Sequence, residues 1–165
     1  MVDEDGYVRV TDFGISKILE GKEKASTYCG TPEYMAPEIL KRTGHSFPVD
    51  WWSLGIFVYE MITGSTPFYT SDRNKMSRMI KKFPVVLPSS IAMSEECKDF
   101  IIRLLDKNPD TRLGSKGDLK EILDHPWMKQ IDVDKVMNKE IEAPLKPHLS
   151  SDPLDINCFK KFTEK

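Results

Sequence analysis

Gly30-Thr31-Pro32-Glu33-Tyr34-Met35-Ala36-Pro37-Glu38, followed twelve residues later by Asp50-Trp51-Trp52-Ser53-Leu54-Gly55, is the stretch on which the fold turns. Upstream of it, Ile15 to Pro37 sustains no helical period, and Gly14, Gly21, Gly30, Pro32 and Pro37 punctuate the segment. That pattern predicts a long ordered loop, and loops of this length inside a compact domain usually carry function. Downstream the character changes. Between Val49 and Thr63 apolar side chains fall on every face (Trp51, Trp52, Leu54, Ile56, Phe57, Val58, Tyr59, Met61 and Ile62), which predicts a helix buried all round and a central rod for the core. At the start of the chain, the Asp5-Gly6 turn dipeptide and the alternation Tyr7 to Thr11 predict a short strand leaving a hairpin. Strand content is expected at this end alone.

Farther along, helical patterns run from Asp72 to Lys82, from Ser94 to Asp106 and from Leu119 to Leu123 toward His125-Pro126-Trp127. Ser94-Glu95-Glu96 reads as a capped acidic start, and Asn108-Pro109 as the stop of that helix. Beyond about Gln130 the sequence is polar and marked by Pro144, Pro147 and Pro153, which predicts an extended tail lying on the domain. No internal repeat occurs.

With 165 residues, 39% of them hydrophobic and 30% charged, the chain has the composition of one soluble globular domain. A formal net charge of -2, from 24 basic and 26 acidic residues, gives no electrostatic footprint for nucleic acid or an anionic membrane. The greasy run Ile56 to Ile62 is broken by Glu60 and too short to span a bilayer, so no membrane insertion is expected. Cys29, Cys97 and Cys158 are an odd number without zinc-ligand spacing, which fits thiols in a reducing cytosolic or nuclear compartment. His45, His125 and His148 share no metal-binding spacing, so surface or packing roles are expected of them.

Asp12-Phe13-Gly14 places a carboxylate at a strand end beside a flexible glycine. A hard magnesium ion between nucleotide phosphates needs such an oxygen ligand. Alone, the tripeptide is ordinary strand-ending chemistry. In order with the run ending Ala36-Pro37-Glu38 and with Asp50 to Gly55, it resembles the bookends of a protein-kinase activation segment and the central helix that follows. The family is the eukaryotic protein kinases. Thr27-Tyr28-Cys29-Gly30-Thr31-Pro32-Glu33-Tyr34, the Trp51-Trp52 pair, Pro67-Phe68-Tyr69, and a tail with Pro144-Leu145-Lys146-Pro147 and Phe162-Thr163 are similar to the AGC group, nearest to its serum- and glucocorticoid-regulated, protein kinase B and ribosomal S6 branches. The likeness runs from Asp5 to the last residues.

That resemblance implies a mainly α fold: the C-terminal lobe of a kinase over residues 1–129, with a short β-hairpin element and the activation segment, then a partial AGC tail over 130–165. It implies an ATP-dependent serine/threonine kinase using ATP and magnesium, with protein substrates, an upstream activating kinase and a monomeric state. Asp12, Phe13 and Gly14 are implied as cofactor-binding, with Asp12 the magnesium ligand. Thr27 resembles the activation-loop phosphorylation site, where a phosphate would add nearly two negative charges, and Lys17 one of its basic partners; an ordinary exposed loop threonine is the plainer reading. Thr31 resembles the hydroxyl that steadies the catalytic Asp. Tyr28, Pro32 and Met35 resemble the pocket for the substrate residue after the phosphoacceptor, and its apolar character favours a hydrophobic residue there.

Glu60 is the one charge inside the greasy helix, and a buried carboxylate needs a partner. The resemblance assigns it, with Glu33, to an arginine of the substrate; a structural bond to Tyr34 or to solvent is the competing reading. Glu38 and Arg112 are similar to a scaffold ion pair suited to guanidinium geometry, and Asp50 to a residue that positions the catalytic loop. Cys29 beside the phosphosite is read as a quiet packed thiol rather than a redox sensor.

The eleven residues before Asp12 hold no glycine-rich loop, no lysine–glutamate pair and no catalytic-loop base. Met1 is accordingly read as an internal residue of an incomplete gene model or cloned fragment, and this chain by itself is expected to be inactive. A non-catalytic binding module or pseudokinase fragment is the alternative.

Overall fold

The computed structural model describes residues 1–21 and 23–147, so His148, Pro153, Cys158 and Phe162-Thr163 lie outside the described residues. The chain divides into two compact units, one made of Met1–Ser16 with the described part of Asp132–Lys165, the other of Lys17–Ile131.

The second unit is helical: α1 (Pro37–Lys41), α2 (Pro48–Thr63), α3 (Arg73–Lys82), α4 (Glu95–Leu104) and α5 (Asp118–Leu123), with short 3-10 turns at Pro32–Tyr34 and Met128–Gln130. Proline in the first turn starts α2, where a missing N–H costs nothing. Gly64, left-handed at φ 79°, ends it by donating its N–H to the Glu60 carbonyl at 2.8 Å. Asp72 caps α3 by accepting from the N–H groups of Asn74 and Lys75, and Ser94 caps α4 by accepting from Cys97. α4 buries Cys97, Phe100, Ile101 and Leu104, the one-sided spacing of an amphipathic helix, and packs this face on α2. The two helices approach closely because Gly55 has no side chain; a β-carbon there would stand 2.8 Å from Leu104 Cβ.

Two features depart from the sequence pattern. α2 is not buried all round: Trp52, Ile56, Val58 and Tyr59 are in the core, but Phe57 and Met61 are 46% and 61% exposed, because the described residues pack on one side of the rod only. α4 ends at Leu104, before Asn108-Pro109, with Leu105 donating back to Ile101 at 3.0 Å. The polar run Asp106 to Asp110 turns back on itself instead, its amides held by the side chains of Asp106 and Asn108. The loop after Ile15 is present, and Ala25 and His45 exchange both backbone hydrogen bonds at 2.8 and 2.9 Å to tie it down.

Two basic side chains sit in this core. Arg112 is fully buried beside Trp52. The ammonium of Lys107 lies over the stacked rings of Trp52 and Phe68, 4.7 and 4.0 Å from their centroids, with no hydrogen-bond partner among the described residues. Burial, with the charges of Arg112 and Lys41, pushes its pKa down from 10.5 to about 8, against a smaller opposing pull from Asp106. His125, also buried, packs edge-on to Phe100, accepts the Trp127 N–H at Nδ1 and meets Asp99 through Nε2 at 3.0 Å, a packing role.

In the first unit the expected strand is reduced to a turn. Val2 and Val8 form an isolated bridge, and the ladder does not reach Thr11, since a two-stranded ribbon with no third strand has little to hold it. The turn is fastened by side chains. Asp3 accepts the Tyr7 N–H at 2.8 Å and pairs with Arg9 and Lys139, and the Tyr7 hydroxyl donates to the Ile141 carbonyl. The backbone bond from Tyr7, with those cations, holds the Asp3 carboxyl below its ordinary range. Gly6, at φ 90°, lets Leu145 lie against the turn, where any β-carbon would collide with the Leu145 carbonyl. The tail is also less extended than its prolines imply: α6 (Val133–Met137) opens it, capped by Asp132.

Candidate functional site

The segment Tyr28–Met35 has lining residues on two sides. A left-handed Gly30 and the proline-started turn at Pro32–Tyr34 fix this geometry: the Tyr34 N–H donates to the Thr31 carbonyl at 3.0 Å and the Met35 N–H to that of Pro32 at 3.2 Å. On one side, Tyr28, Pro32 and Met35 converge on a cavity of about 230 Å³ whose wall is completed by Leu40 after the turn and by Arg73, Met76, Ser77 and Ile80 of α3. On the other, Thr31, Glu33 and Tyr34 face Glu60, Thr66 and Tyr69 across a groove of about 420 Å³. Sequence reasoning missed the α3 wall. Only the spacing of Met76 and Ile80 signalled a buried face, and nothing local says what that face meets.

Glu60, near the end of α2, accepts a hydrogen bond from the Tyr34 hydroxyl and also lines the groove with Glu33. That bond, followed by burial, pushes the Tyr34 pKa up to about 12, so the phenol stays protonated and its donor stays available to the carboxylate. The two readings of Glu60 are therefore compatible: one oxygen is occupied by Tyr34, while a carboxylate has further acceptor sites. Thr31 is exposed at the turn's start, and Thr27 is exposed on the preceding loop. Arg42, left-handed at φ 55°, holds its guanidinium 5.0 Å from the centroid of Tyr28, next to Thr27. Lys17 is paired with Glu23, both partly exposed.

Glu38 and Arg112 face each other inside the second unit. Nη1 and Nη2 of Arg112 donate to the two carboxylate oxygens at 2.7 and 3.0 Å, a fork that anchors α1 to the loop after α4. Nη1 also donates to the Pro48 carbonyl at 2.7 Å and Nε to that of Asp106 at 3.0 Å, so the buried guanidinium has four acceptors. Asp50 lies on the exposed side of α2, crowded enough that desolvation raises its pKa, with His45 opposing.

Asp12, Phe13 and Gly14 belong to the first unit. Asp12 is exposed with φ 63°, a region Asp tolerates better than most side chains, and its Oδ1 accepts the Gly14 N–H at 3.3 Å. Phe13 is also exposed. No group of three or more metal-ligating side chains occurs among the described residues. These residues alone do not fit a magnesium–nucleotide complex: Asp12 offers a single carboxylate, and an ion reluctant to shed water needs more.

Comparison with known proteins agrees with the fold. Residues 1–128 match the protein kinase domain. Over 165 residues the chain is 41% identical to the serine/threonine-protein kinase sgk-1 of Caenorhabditis elegans, covering 99% of this chain and 35% of that protein. It is 44% identical to protein kinase 2 of Dictyostelium discoideum, covering 92% of this chain and 31% of the relative, and 42% identical to the human ribosomal protein S6 kinase alpha-6, covering 100% and 22%. The chain thus spans about a third or less of each of these relatives. The mainly helical fold and these matches place the chain in the protein kinase domain family, among relatives that are AGC-group serine/threonine kinases.

Proposed function

We propose that the chain is the C-terminal portion of an ATP-dependent kinase that phosphorylates serine or threonine in proteins carrying basic residues before the acceptor. One observation carries this reading: the segment Tyr28–Met35 has an apolar cavity on one side and a groove holding the carboxylates of Glu33 and Glu60 on the other. A peptide crossing the turn would place an arginine against the two carboxylates and an apolar side chain among Tyr28, Pro32 and Met35. Thr31, exposed at the start of the turn and lining the groove, would steady the catalytic machinery of the whole kinase. Within that kinase, Asp12 would serve as one ligand of the magnesium that neutralises nucleotide phosphates, with Phe13 and Gly14 setting its backbone.

In the intact enzyme, Glu60→Arg is expected to lower kcat/KM for arginine-containing peptides by about tenfold more than for neutral ones, a difference of ~1.4 kcal/mol in transition-state binding. Steady-state kinetics on paired peptides reads this directly. Equal losses on both would leave Glu60 only its bond to Tyr34.

Regulation follows from Thr27. Its exposure lets an upstream kinase reach it, and a phosphate there would draw on basic groups. Lys17 would have to leave Glu23, whereas Arg42 already stands beside Tyr28. Phosphopeptide mapping of the active enzyme from cells is expected to find Thr27 modified; a fully active enzyme with Thr27 bare would refute the assignment.

A further inference from the structure

The cavity of about 230 Å³ beside Tyr28 is apolar on its floor but not at its rim. Arg73, the first residue of α3, lines it and is exposed, and no carboxylate pairs with it among the described residues. Its neighbour Asp72 is engaged elsewhere, accepting the N–H groups of Asn74 and Lys75 as the helix cap. The positive character is not confined to one side chain. α3 carries Lys75, Arg78, Lys81 and Lys82 with no acidic residue inside the helix, and Arg42 stands over the ring of Tyr28. The groove on the other side of the turn is acidic, with Glu33 and Glu60. A chain laid across this turn therefore meets negative charge first, then an apolar hole, then positive charge, and charge complementarity selects ligand sequence in the same order.

We infer that Arg73 is a specificity-determining residue, and that the site takes a peptide whose apolar residue, seated in the cavity, is followed directly by carboxylates. This rests on the peptide-site reading of the turn proposed above and adds the chemistry of the downstream half of the substrate. Arg73 suits the task because a guanidinium is always charged and can fork to a carboxylate, and because none among the described residues competes for it.

The test uses the 165-residue chain and two fluorescein-labelled peptides that share an arginine pair, a spacer, serine and leucine but end in Asp-Asp or in Lys-Lys. Binding is read by fluorescence polarisation at low salt. The Asp-Asp peptide is expected to bind about fivefold more tightly, the size of a well-placed exposed ion pair. Arg73→Gln should narrow the gap, and Arg73→Glu should abolish or reverse it, both with unchanged thermal unfolding because the side chain is exposed. Equal binding by the unmodified chain, or a preference that survives Arg73→Glu, overturns the role of Arg73 while leaving the peptide site intact. Binding of neither peptide overturns the peptide-site reading and this inference with it.

Discussion

Arg112→Ala is expected to destabilise the second unit by about 3–5 kcal/mol, the range for removing one partner of a buried ion pair. The guanidinium is inaccessible to solvent, and its loss strands four acceptors at once: both oxygens of Glu38 and the carbonyls of Pro48 and Asp106. Desolvation decides the magnitude. Glu38 would remain as a buried carboxylate with nothing to replace its fork, whereas the exposed pair Lys120–Asp124 would barely register on losing a partner. Thermal unfolding should show the midpoint falling by roughly ten degrees, or the cooperative transition disappearing. Arg112→Lys should recover part of the loss, since one ammonium can neutralise Glu38 but cannot fork to it. A midpoint for Arg112→Ala within about a degree of the parent would mean that the pair contributes nothing as an interior contact.

The second large effect is all-or-none: this chain alone is expected to transfer no phosphate and to bind no nucleotide tightly. Asp12 is exposed, its one carboxylate is partly engaged by the Gly14 N–H, and no three-ligand cluster stands among the described residues to help it. Phosphoryl transfer relies almost wholly on positioning and electrostatic stabilisation, and a lone exposed carboxylate supplies little of either with which to lower the barrier. Two measurements test this together: radiolabelled phosphate transfer to an arginine-rich peptide, and calorimetric titration with ATP and magnesium. Transfer above an Asp12→Ala control, or micromolar nucleotide binding, would mean that other residues of this chain assemble a nucleotide site.

Much of this molecule was legible wherever a local rule and a long-range one agreed. Asp72 and Ser94 were readable as helix starts because capping is a contact within three residues, and the loop from Ile15 to Pro37 because its prolines and glycines exclude a regular period. The partnership of Glu38 with Arg112 spans more than seventy residues and was accessible only through resemblance. Period alone could not show which side of α2 lacks a covering, since Phe57 and Met61 are as apolar as the buried Ile56. The end of α4 was misplaced because Asn108-Pro109 marks where a helix cannot continue, not where this one stops. The short α6 was hidden by the polar composition of its surroundings. Arg73 was invisible as a site residue, because its position on the cavity follows from how α3 packs against α1 and not from its neighbours in sequence.

Lys107, held over Trp52 and Phe68, makes unfolding a proton-uptake reaction in mildly alkaline solution. Its pKa of about 8 lies below the ordinary 10.5, so between those values the unfolded chain binds more protons than the folded one, and stability rises with pH across the interval. Above about pH 9 the raised pKa of Cys97, and above about pH 10 those of Tyr34 and Tyr59, act in the opposite direction, which confines the clean window to about pH 8 to 9. The difference between the parent and Lys107→Met isolates this one group. The parent's midpoint should climb toward that of the variant as pH rises through the window, and the parent's apparent unfolding enthalpy should shift with the ionisation heat of the buffer more than the variant's does. Parallel pH curves for the two proteins would mean that the aromatic rings hold the ammonium as well as water does.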